Sequence, residues 1–255
     1  MLSYLLEGLR FSFNIPSHPE HEIHGIERGL GVFIGSKCIV GEGAGLGMPL
    51  GLDGDKAIFP GESITVHDKP FKRFRLNRAS IKYLGRLKIE KIYKKARSLL
   101  APIYIRDKTF RPIYTILMMG RTLMGVKSRY ENIGDKGYVD IEYNIGENHV
   151  DVNVDASNLR CSRFLIANEL SGKLFTKLVV DDEEVDDIPP WIEIKSGHAT
   201  LISPKLKLLM GIKKPSSCRL FAGREVLGGR LDWAGFSIMP SVRRFSYRVW
   251  FESLD

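Results

Sequence analysis

The segment from Gly137 to Asp155, GYVDIEYNIGENHVDVNVD, alternates apolar and polar residues on both sides of a short turn that contains Gly and Asn. Successive side chains of a β-strand point to opposite faces of a sheet, so this pattern predicts a hairpin with one buried and one polar face. Directly opposed residues share a face, which also predicts the register. The expected apolar pairs are Ile141 with Val154, Tyr143 with Val152, and Ile145 with Val150.

Similar alternation recurs along the chain. The carboxyl-terminal segment RRFSYRVWFESLD places Phe245, Tyr247, Val249 and Phe251 on one side, and shorter strand-like segments are separated by Gly, Pro and Asp turns. Many short strands with such turns predict a mainly β protein built as a large antiparallel β-sandwich, with the super-sandwich type included. Helical spacing of apolar residues over 2–9 and 89–100 adds one or two short helices. Because no linker or internal repeat interrupts the chain, we expect a single β-sandwich domain over residues 1–255.

Composition and cysteine content indicate the compartment. The 44% hydrophobic and 27% charged residues are ordinary for a globular protein. The segment MLSYLLEGLR lacks the basic start and long apolar core of a signal peptide, and the apolar run over 112–120 is far shorter than the roughly 20 residues of a membrane helix. Cys38, Cys161 and Cys218 are too few and too far apart for a disulfide framework. We therefore expect a cytoplasmic protein that does not associate with membranes.

The glycine-rich segment VGEGAGLGMPLGLDGD, residues 40–55, lacks the Lys and Ser/Thr of a phosphate-binding P-loop and the glycine spacing of a dinucleotide site. We therefore expect no cofactor. Gly41, Gly43, Gly45 and Gly47 occupy alternate positions, which in a strand would leave one face without side chains. An aromatic side chain, another backbone or a ligand must then lie against that face. The last alternative makes these glycines candidate ligand-binding residues.

Three histidines, His18, His21 and His24, lie close together upstream of the glycines and are interspersed with glutamates. Two imidazoles and a carboxylate are a typical zinc ligand set, and the same groups suit proton transfer near neutral pH. A solvent-exposed loop is the third interpretation. Because the cluster leads into the glycine-rich segment, we expect both to flank one pocket, with the three histidines and Glu42 as candidate catalytic residues. We predict no bound metal.

The predicted hairpin register also sets Asp140 opposite Asp155 on the polar face. Like charges directly opposed in a sheet are destabilising, by roughly a few tenths of a kcal/mol on an exposed face. Water, fraying at the hairpin's open end, a basic neighbour, a cation or a hydroxyl-rich ligand could each relieve this repulsion. Asp140 and Asp155 are therefore further candidate ligand-binding residues.

Positive charge is concentrated in one segment. The net charge is +8, yet residues 69–97 alone hold twelve Lys or Arg and a single acid, Glu90. Aromatic residues alternate with these cations, as in surfaces that contact phosphates and stack on bases. A solvated strand and helix face is the other interpretation. The candidate residues for binding an anionic partner are Lys72, Arg73, Arg75, Arg78 and Lys82.

Two functions of different classes fit these features. A β-sandwich with Asp, Glu, Asn and His on a sheet face is typical of carbohydrate binding or carbohydrate processing, and this is the function that we predict. The alternative is non-enzymatic binding of an anionic partner, a nucleic acid or an acidic polysaccharide, through residues 69–97. We interpret Trp191, Trp233 and Trp250 as packing residues rather than sugar platforms.

Overall fold

The computed structural model of the protein describes residues 8–17, 25–54, 56–66, 68–89, 95, 125–185, 188, 191–195, 197–227 and 231–254. The predicted helix over 2–9 lies outside this part of the chain except for Gly8, in a turn, and Leu9, which begins a strand. Of the predicted helix over 89–100, only Ile89 and Lys95 are described, and Lys95 has helical backbone. Within the described part of the chain, no helix has the length and apolar character needed to span a bilayer.

The described residues form nineteen β-strands. In chain order they are β1 (Leu9–Ser12), β2 (Gly31–Ile34), β3 (Lys37–Cys38), β4 (Gly45–Asp53), β5 (Lys56–Val66), β6 (Phe71–Leu84), β7 (Leu87–Lys88), β8 (Val126–Asn132), β9 (Tyr138–Ile145), β10 (His149–Asp155), β11 (Arg163–Ser171), β12 (Lys177–Val180), β13 (Glu183–Val185), β14 (Ile192–Ile194), β15 (His198–Ser203), β16 (Leu208–Lys213), β17 (Cys218–Leu227), β18 (Leu231–Pro240) and β19 (Arg244–Ser253).

These strands pair into two antiparallel sheets. Among the described residues, β1, β2 and β3 form a three-stranded sheet, and the other sixteen strands form one large sheet. The large sheet has the order β13-β12-β15-β16-β19-β10-β9-β6-β5-β4-β11-β18-β17-β14, with β7 and β8 also pairing with β6. The strands at its two ends, β13 and β14, have three residues each. The prediction of a mainly β, antiparallel sandwich-type fold is confirmed.

The chain divides into two compact units. One comprises residues 1–78 and 134–255, and the other comprises residues 79–133. In the described part of the second unit, the end of β6 pairs with β7 and β8. There the Lys82 ammonium group donates a hydrogen bond of 2.6 Å to Oγ of Ser128, and the Tyr83 hydroxyl donates to Glu131. The expectation of a single domain over residues 1–255 stays a prediction.

The hairpin of β9 and β10 has the predicted register. Its apolar pairs are Ile141 with Val154, Tyr143 with Val152, and Ile145 with Val150. β10 also pairs with β19, whose Tyr247, Val249 and Phe251 are buried as the alternation predicts. The three strands therefore present one apolar face to the core and one polar face outward.

The buried faces of two distant parts of the large sheet meet in the core. The rings of Phe164 on β11 and Phe245 on β19 have centroids 6.4 Å apart. Next to them, the Tyr247 hydroxyl donates a hydrogen bond of 2.9 Å to Oδ1 of the fully buried Asn168 on β11. Because β11 and β19 are far apart in the strand order, these contacts join two layers of a sandwich. Residues adjacent in sequence to Asn168 and Tyr247 lie on the other faces of β11 and β19, away from this contact.

The four alternating glycines do not form one strand, so that prediction is wrong. Gly41 lies in a turn, Gly43 lies in a bend, and β4 begins only at Gly45. Gly45 and Gly47 have φ angles of 75° and 76°, in the left-handed region that glycine adopts readily. Protein atoms approach all four closely: Ser171 at Gly41, Glu169 at Gly43, Leu30 at Gly45 and Tyr143 at Gly47. Their close neighbours are thus side chains and backbone of the same molecule.

Candidate functional site

Polar side chains from β9, β10 and β19 form one outward surface, which we call the polar sheet face. The cross-strand register places them in two rows: Asn144, Asp151 and Arg248 in one, and Glu142, Asn153 and Ser246 in the next. Cross-strand partners share a face of the sheet, so these six side chains project from the same surface. The alternation that buries their apolar neighbours is what positions them.

The polar sheet face holds an open depression of about 410 Å³, lined by Asn144, Asp151, Asn153, Ser246, Tyr247 and Arg248. Arg248 fixes one wall, because its Nε and Nη2 donate hydrogen bonds of 2.6 and 2.7 Å to the two carboxylate oxygens of Asp151. The hydrogen bond from Arg248 holds the pKa of Asp151 below its usual range. Asp151 is therefore ionised at neutral pH, and its remaining lone pairs can accept hydrogen bonds from a ligand.

An aromatic side chain lies beside this depression. Trp250 is partly exposed and follows Arg248 by two residues on β19, so the two side chains share a face. Trp250 lies against Gly211 of β16, where a Cβ would come within 2.2 Å of Cε2 of the indole. The bare glycine leaves room for the large ring to lie on the sheet. Trp250 thus packs on the sheet as the sequence indicated, but its partly exposed outer side can also stack on the apolar face of a ring-shaped ligand, a role that the sequence interpretation did not give it.

Asp140 and Asp155 lie opposite each other on the same surface, one row beyond the polar sheet face. Arg73 of β6 donates two hydrogen bonds to Asp140, at 2.7 and 2.8 Å, and Nε of Arg244 on β19 donates one to Asp155 at 2.8 Å. A basic neighbour on each side thus relieves the like-charge opposition, which is one of the interpretations that the sequence allowed. The assignment of Asp140 and Asp155 to ligand binding stays a prediction.

The geometry of the polar sheet face suits binding rather than proton transfer. Amide, carboxylate, hydroxyl and guanidinium groups supply donors and acceptors, and the Asp151–Arg248 pair has a fixed orientation. A carboxylate that is held ionised by an arginine is a poor proton donor near neutral pH. The side chains of this face can therefore donate hydrogen bonds to hydroxyl groups and accept hydrogen bonds from them.

A carboxyl group with a pKa suited to proton transfer, Glu169 of β11, lies elsewhere. Burial raises the pKa of Glu169 to about 7, although the Ala44 backbone N–H donates a hydrogen bond of 3.1 Å to its Oε2. Glu169 is adjacent to Asn168, whose side chain faces Tyr247 of β19, so Glu169 lies on the other face of β11, away from Arg248. Sequence reasoning missed Glu169, because no local pattern shows that a glutamate in a strand is covered by the turn containing Ala44.

Glu42 lies in the turn before β4. Its Oε1 accepts a hydrogen bond of 2.7 Å from the Lys173 ammonium group. The same turn surrounds the buried Arg28, whose Nη2 donates to the carbonyl oxygens of Gly41 and Gly43 at 2.6 Å each. The structure therefore brings Glu42, Gly41 and Gly43 together, around an arginine that the sequence analysis did not single out.

The histidine cluster of His18, His21 and His24 lies outside the described residues. The prediction that these histidines and Glu42 flank one pocket therefore stays a prediction. In the part of the chain that the structure covers, no group of three His, Cys, Asp or Glu side chains is placed to hold a metal ion. The three cysteines are free thiols.

The five predicted anion-binding cations have partners within the molecule or lie close against it. Four of them contact Glu27 (Lys72), Asp140 (Arg73), Glu62 (Arg75) and Ser128 (Lys82). The guanidinium group of Arg78 lies against Gly25. Arg75 is the most open of those paired with acids, with 56% of its side chain exposed and 3.8 Å to Glu62. The binding of an anionic polymer by residues 69–97 stays a prediction.

The polar sheet face combines an open depression, an oriented ion pair and an indole ring on one surface of the sandwich. We therefore take it as the candidate functional site. Comparison with known proteins adds no assignment. No family model matches the chain, and no curated protein matches its sequence.

Proposed function

We propose that the protein binds carbohydrate on the polar sheet face. The observation that supports this function is the depression of about 410 Å³ with polar walls. Trp250 on the same face adds an apolar ring. Sugars present hydroxyl groups that donate and accept hydrogen bonds, together with apolar faces made of ring C–H groups. The polar groups of the depression can hydrogen-bond to the sugar hydroxyl groups, and the indole of Trp250 can stack on the apolar ring face.

The proposed role is binding without bond cleavage. Glycoside hydrolysis ordinarily needs a protonated carboxylic acid and a second carboxylate on either side of the glycosidic bond. The pairing of Asp151 with Arg248 keeps Asp151 ionised, and Glu169, whose pKa is about 7, lies on the face of β11 that points away from Arg248. The polar sheet face therefore retains a sugar but does not hydrolyse it.

The charges of the face favour neutral or amino sugars. Asp151 and Arg248 compensate each other, and Glu142 in the next row adds a negative charge. A uronic acid would place its carboxylate near Glu142 and lose affinity through repulsion. Neutral and amino oligosaccharides are therefore the expected ligand class.

A glycan array with neutral, amino and acidic oligosaccharides tests this function, followed by calorimetric titration of the strongest ligand. We expect Asn153→Ala and Trp250→Ala each to weaken binding about fivefold, because each removes one hydrogen-bonding or stacking contact of about 1 kcal/mol. Asn14→Ala, an exposed asparagine outside the face, is the matched control and should bind as wild type does. Absence of binding across all three sugar classes would overturn the function, as would affinities that neither site variant changes.

A further inference from the structure

A second cavity, of about 300 Å³, lies where Phe13, residues 15–17, residues 25–28, Gly61 and Lys72 meet. One wall is apolar and is formed by Phe13, Ile15 and Pro16. Another wall carries Arg28 and Lys72, which are buried cations. The cavity shares no lining residue with the depression on the polar sheet face. Its volume lies at the small end of the range for ligand pockets.

Lys72 is the most unusual residue of this cavity, because only 6% of it is exposed. Its Nζ donates a hydrogen bond of 2.7 Å to the carbonyl oxygen of Arg28 and lies 3.2 Å from Oε2 of Glu27. These two contacts use two of the three ammonium donors. Burial lowers the pKa of Lys72, and Glu27 only partly opposes this effect. A further acceptor would therefore stabilise the ammonium group.

Arg28 adds a second buried cation, with 8% of the residue exposed. Its guanidinium group donates to the carbonyl oxygens of Pro16, Gly41 and Gly43, which are uncharged acceptors. Burial lowers the pKa of Arg28 more than the nearby acidic groups raise it. The positive charge of Arg28 is therefore held in place by dipoles and is available to attract an anion.

Arg78 lies behind the same cavity wall. A Cβ at Gly25, which lines the cavity, would come 3.2 Å from Cζ of Arg78. The Nε of Arg78 is buried and has no hydrogen-bond partner among the described residues. A buried donor without an acceptor costs free energy, roughly 1–3 kcal/mol for a typical group, so its presence beside a cavity calls for an explanation.

Cations outnumber carboxylates among the described residues that line the cavity. Lys72 and Arg28 are the two cations, and Glu27 is the one carboxylate. Buried charges are stable only when they are paired, so this excess of positive charge favours a bound anion. We propose that the cavity binds a small organic anion whose carboxylate or phosphate group contacts Nζ of Lys72.

The burial and the apolar wall define the class of ligand. A group must enter the cavity to reach Lys72, which a terminal carboxylate or phosphate can do and the backbone of a nucleic-acid duplex cannot. Phe13, Ile15 and Pro16 would contact an apolar portion of the same ligand. The ligand is therefore a small molecule with one anionic end and one apolar end, rather than a polymer.

Calorimetric titration at constant ionic strength tests the site with inorganic phosphate, phenyl phosphate and benzoate, and with chloride as the non-specific control. We expect saturable one-to-one binding of phenyl phosphate or benzoate, weaker binding of inorganic phosphate and none of chloride. The stronger of the two aromatic probes identifies the anionic group. Absence of saturable binding by any probe up to about 10 mM would overturn the site.

Variants of cavity residues, each with a control outside the cavity, test whether the anionic probe binds beside Lys72. Lys72→Gln is expected to weaken probe binding at least tenfold, whereas Lys69→Gln, an exposed lysine outside the cavity, should leave it unchanged. If Lys72→Gln does not fold, Ser17→Glu places a carboxylate at the exposed rim and should also weaken binding about tenfold. Asn14→Glu introduces the same charge outside the cavity lining. Equal affinities in a site variant and its control would overturn the assignment.

The anion site and the sugar site are tested separately. Asn153→Ala and Trp250→Ala should leave the affinity for the anionic probe unchanged, and Ser17→Glu should leave sugar binding unchanged. Failure to bind the anionic probe would therefore not contradict sugar binding, and failure to bind sugar would not contradict the anion site.

Discussion

Glu169 keeps its proton at pH values where an exposed glutamate is ionised, because burial raises its pKa from 4.5 to about 7. Between these two values the native protein binds more protons at Glu169 than the unfolded chain does. The free energy of unfolding therefore falls as the pH rises through this window. A neutral side chain that still accepts the Ala44 N–H hydrogen bond should abolish this part of the pH dependence.

We expect Glu169→Gln to have the same free energy of unfolding as wild type below this window, and a free energy of unfolding higher by up to about 3 kcal/mol above it. Urea denaturation across the pH range measures the difference. Glu193→Gln is the matched control, since Glu193 is exposed and the hydrogen bond from Arg219 lowers its pKa. A gain at high pH in both variants, or in neither, would show that the burial of Glu169 is not its cause.

The glycines of residues 41–47 show how much of the structure around a single residue can be predicted from sequence. Repeated glycine correctly indicated a close approach to backbone, and at Gly47 the approaching atom is the Tyr143 hydroxyl, 2.8 Å from where a Cβ would lie. The strand interpretation failed because a period of two does not distinguish extended backbone from positive φ. Glu169 and Arg28 could not be found from sequence, since their burial depends on residues far away in the chain.

At the scale of strands, a row of charges crosses β6, β9, β10 and β19. The order is Arg73, Asp140, Asp155 and Arg244, so the two like charges lie between two opposite ones. Burial tends to raise the pKa of Asp155, but hydrogen bonds from Ser157 and the charge of Arg244 hold it below its usual range. Each arginine therefore stabilises the hairpin by compensating the aspartate next to it.

We expect Arg244→Gln to lower the free energy of unfolding by about 0.5–1 kcal/mol, because Asp155 then faces Asp140 without compensation. Adding Asp155→Asn should restore most of the loss. Denaturation at low and high salt is the measurement, and the effect should shrink at high salt. Arg219→Gln, which breaks an ion pair outside the row, is the control and should show no rescue by Asp155→Asn. A loss that Asp155→Asn does not restore would contradict the charge-row explanation.

The predictability of a strand depends on how its faces are covered. β9 and β10 were found from sequence because one face is buried and the other is polar, which produces strict alternation. β11, β17 and β18 escaped the sequence analysis. β18 is buried over most of its length, and Gly223 and Gly235 interrupt the pattern that remains. The polar sheet face was therefore predictable on its β9 and β10 side, whereas the place of β19 beside them was not.

At the scale of the whole molecule, one buried amide joins three strands. Oδ1 of Asn168 on β11 accepts hydrogen bonds from the Gly47 N–H of β4, at 3.1 Å, and from the Tyr247 hydroxyl of β19, at 2.9 Å. β4 is a neighbour of β11 in the sheet, whereas β19 belongs to the opposite layer. Asn168 therefore couples the stability of both layers of the sandwich.

We expect Tyr247→Phe to lower the free energy of unfolding by about 1 kcal/mol, because Asn168 still accepts the hydrogen bond from the Gly47 N–H. Asn168→Leu should cost about 2–4 kcal/mol, because it leaves two buried donors without an acceptor. Circular dichroism and tryptophan fluorescence during urea denaturation measure both losses, and coincident transitions would show that the layers unfold together. Tyr138→Phe, on the surface beside Arg73, is the control and should change little. A cost in Asn168→Leu no larger than in Tyr247→Phe would contradict the coupling.

Strand order is the part of the fold that the sequence could not supply. Gly47 and Asn168 are 121 residues apart, and no local pattern relates them. Two-layer β architecture followed from alternation and turns, but which strands are neighbours depends on packing among side chains that are distant in sequence. For this reason the cavity beside Lys72 could not be located from the basic segment alone.

The two short strands at the ends of the large sheet have a consequence for how the protein behaves at high concentration. Unpaired backbone at a sheet edge is a template for adding another molecule and so for fibril growth. β13 offers only three residues, with Glu183 and Glu184 exposed, and the φ angle of 48° at Trp191 ends the extended backbone before β14. At these two strands a second copy of the chain would therefore meet exposed glutamates at β13 and only three paired residues at β14, which opposes growth into filaments there.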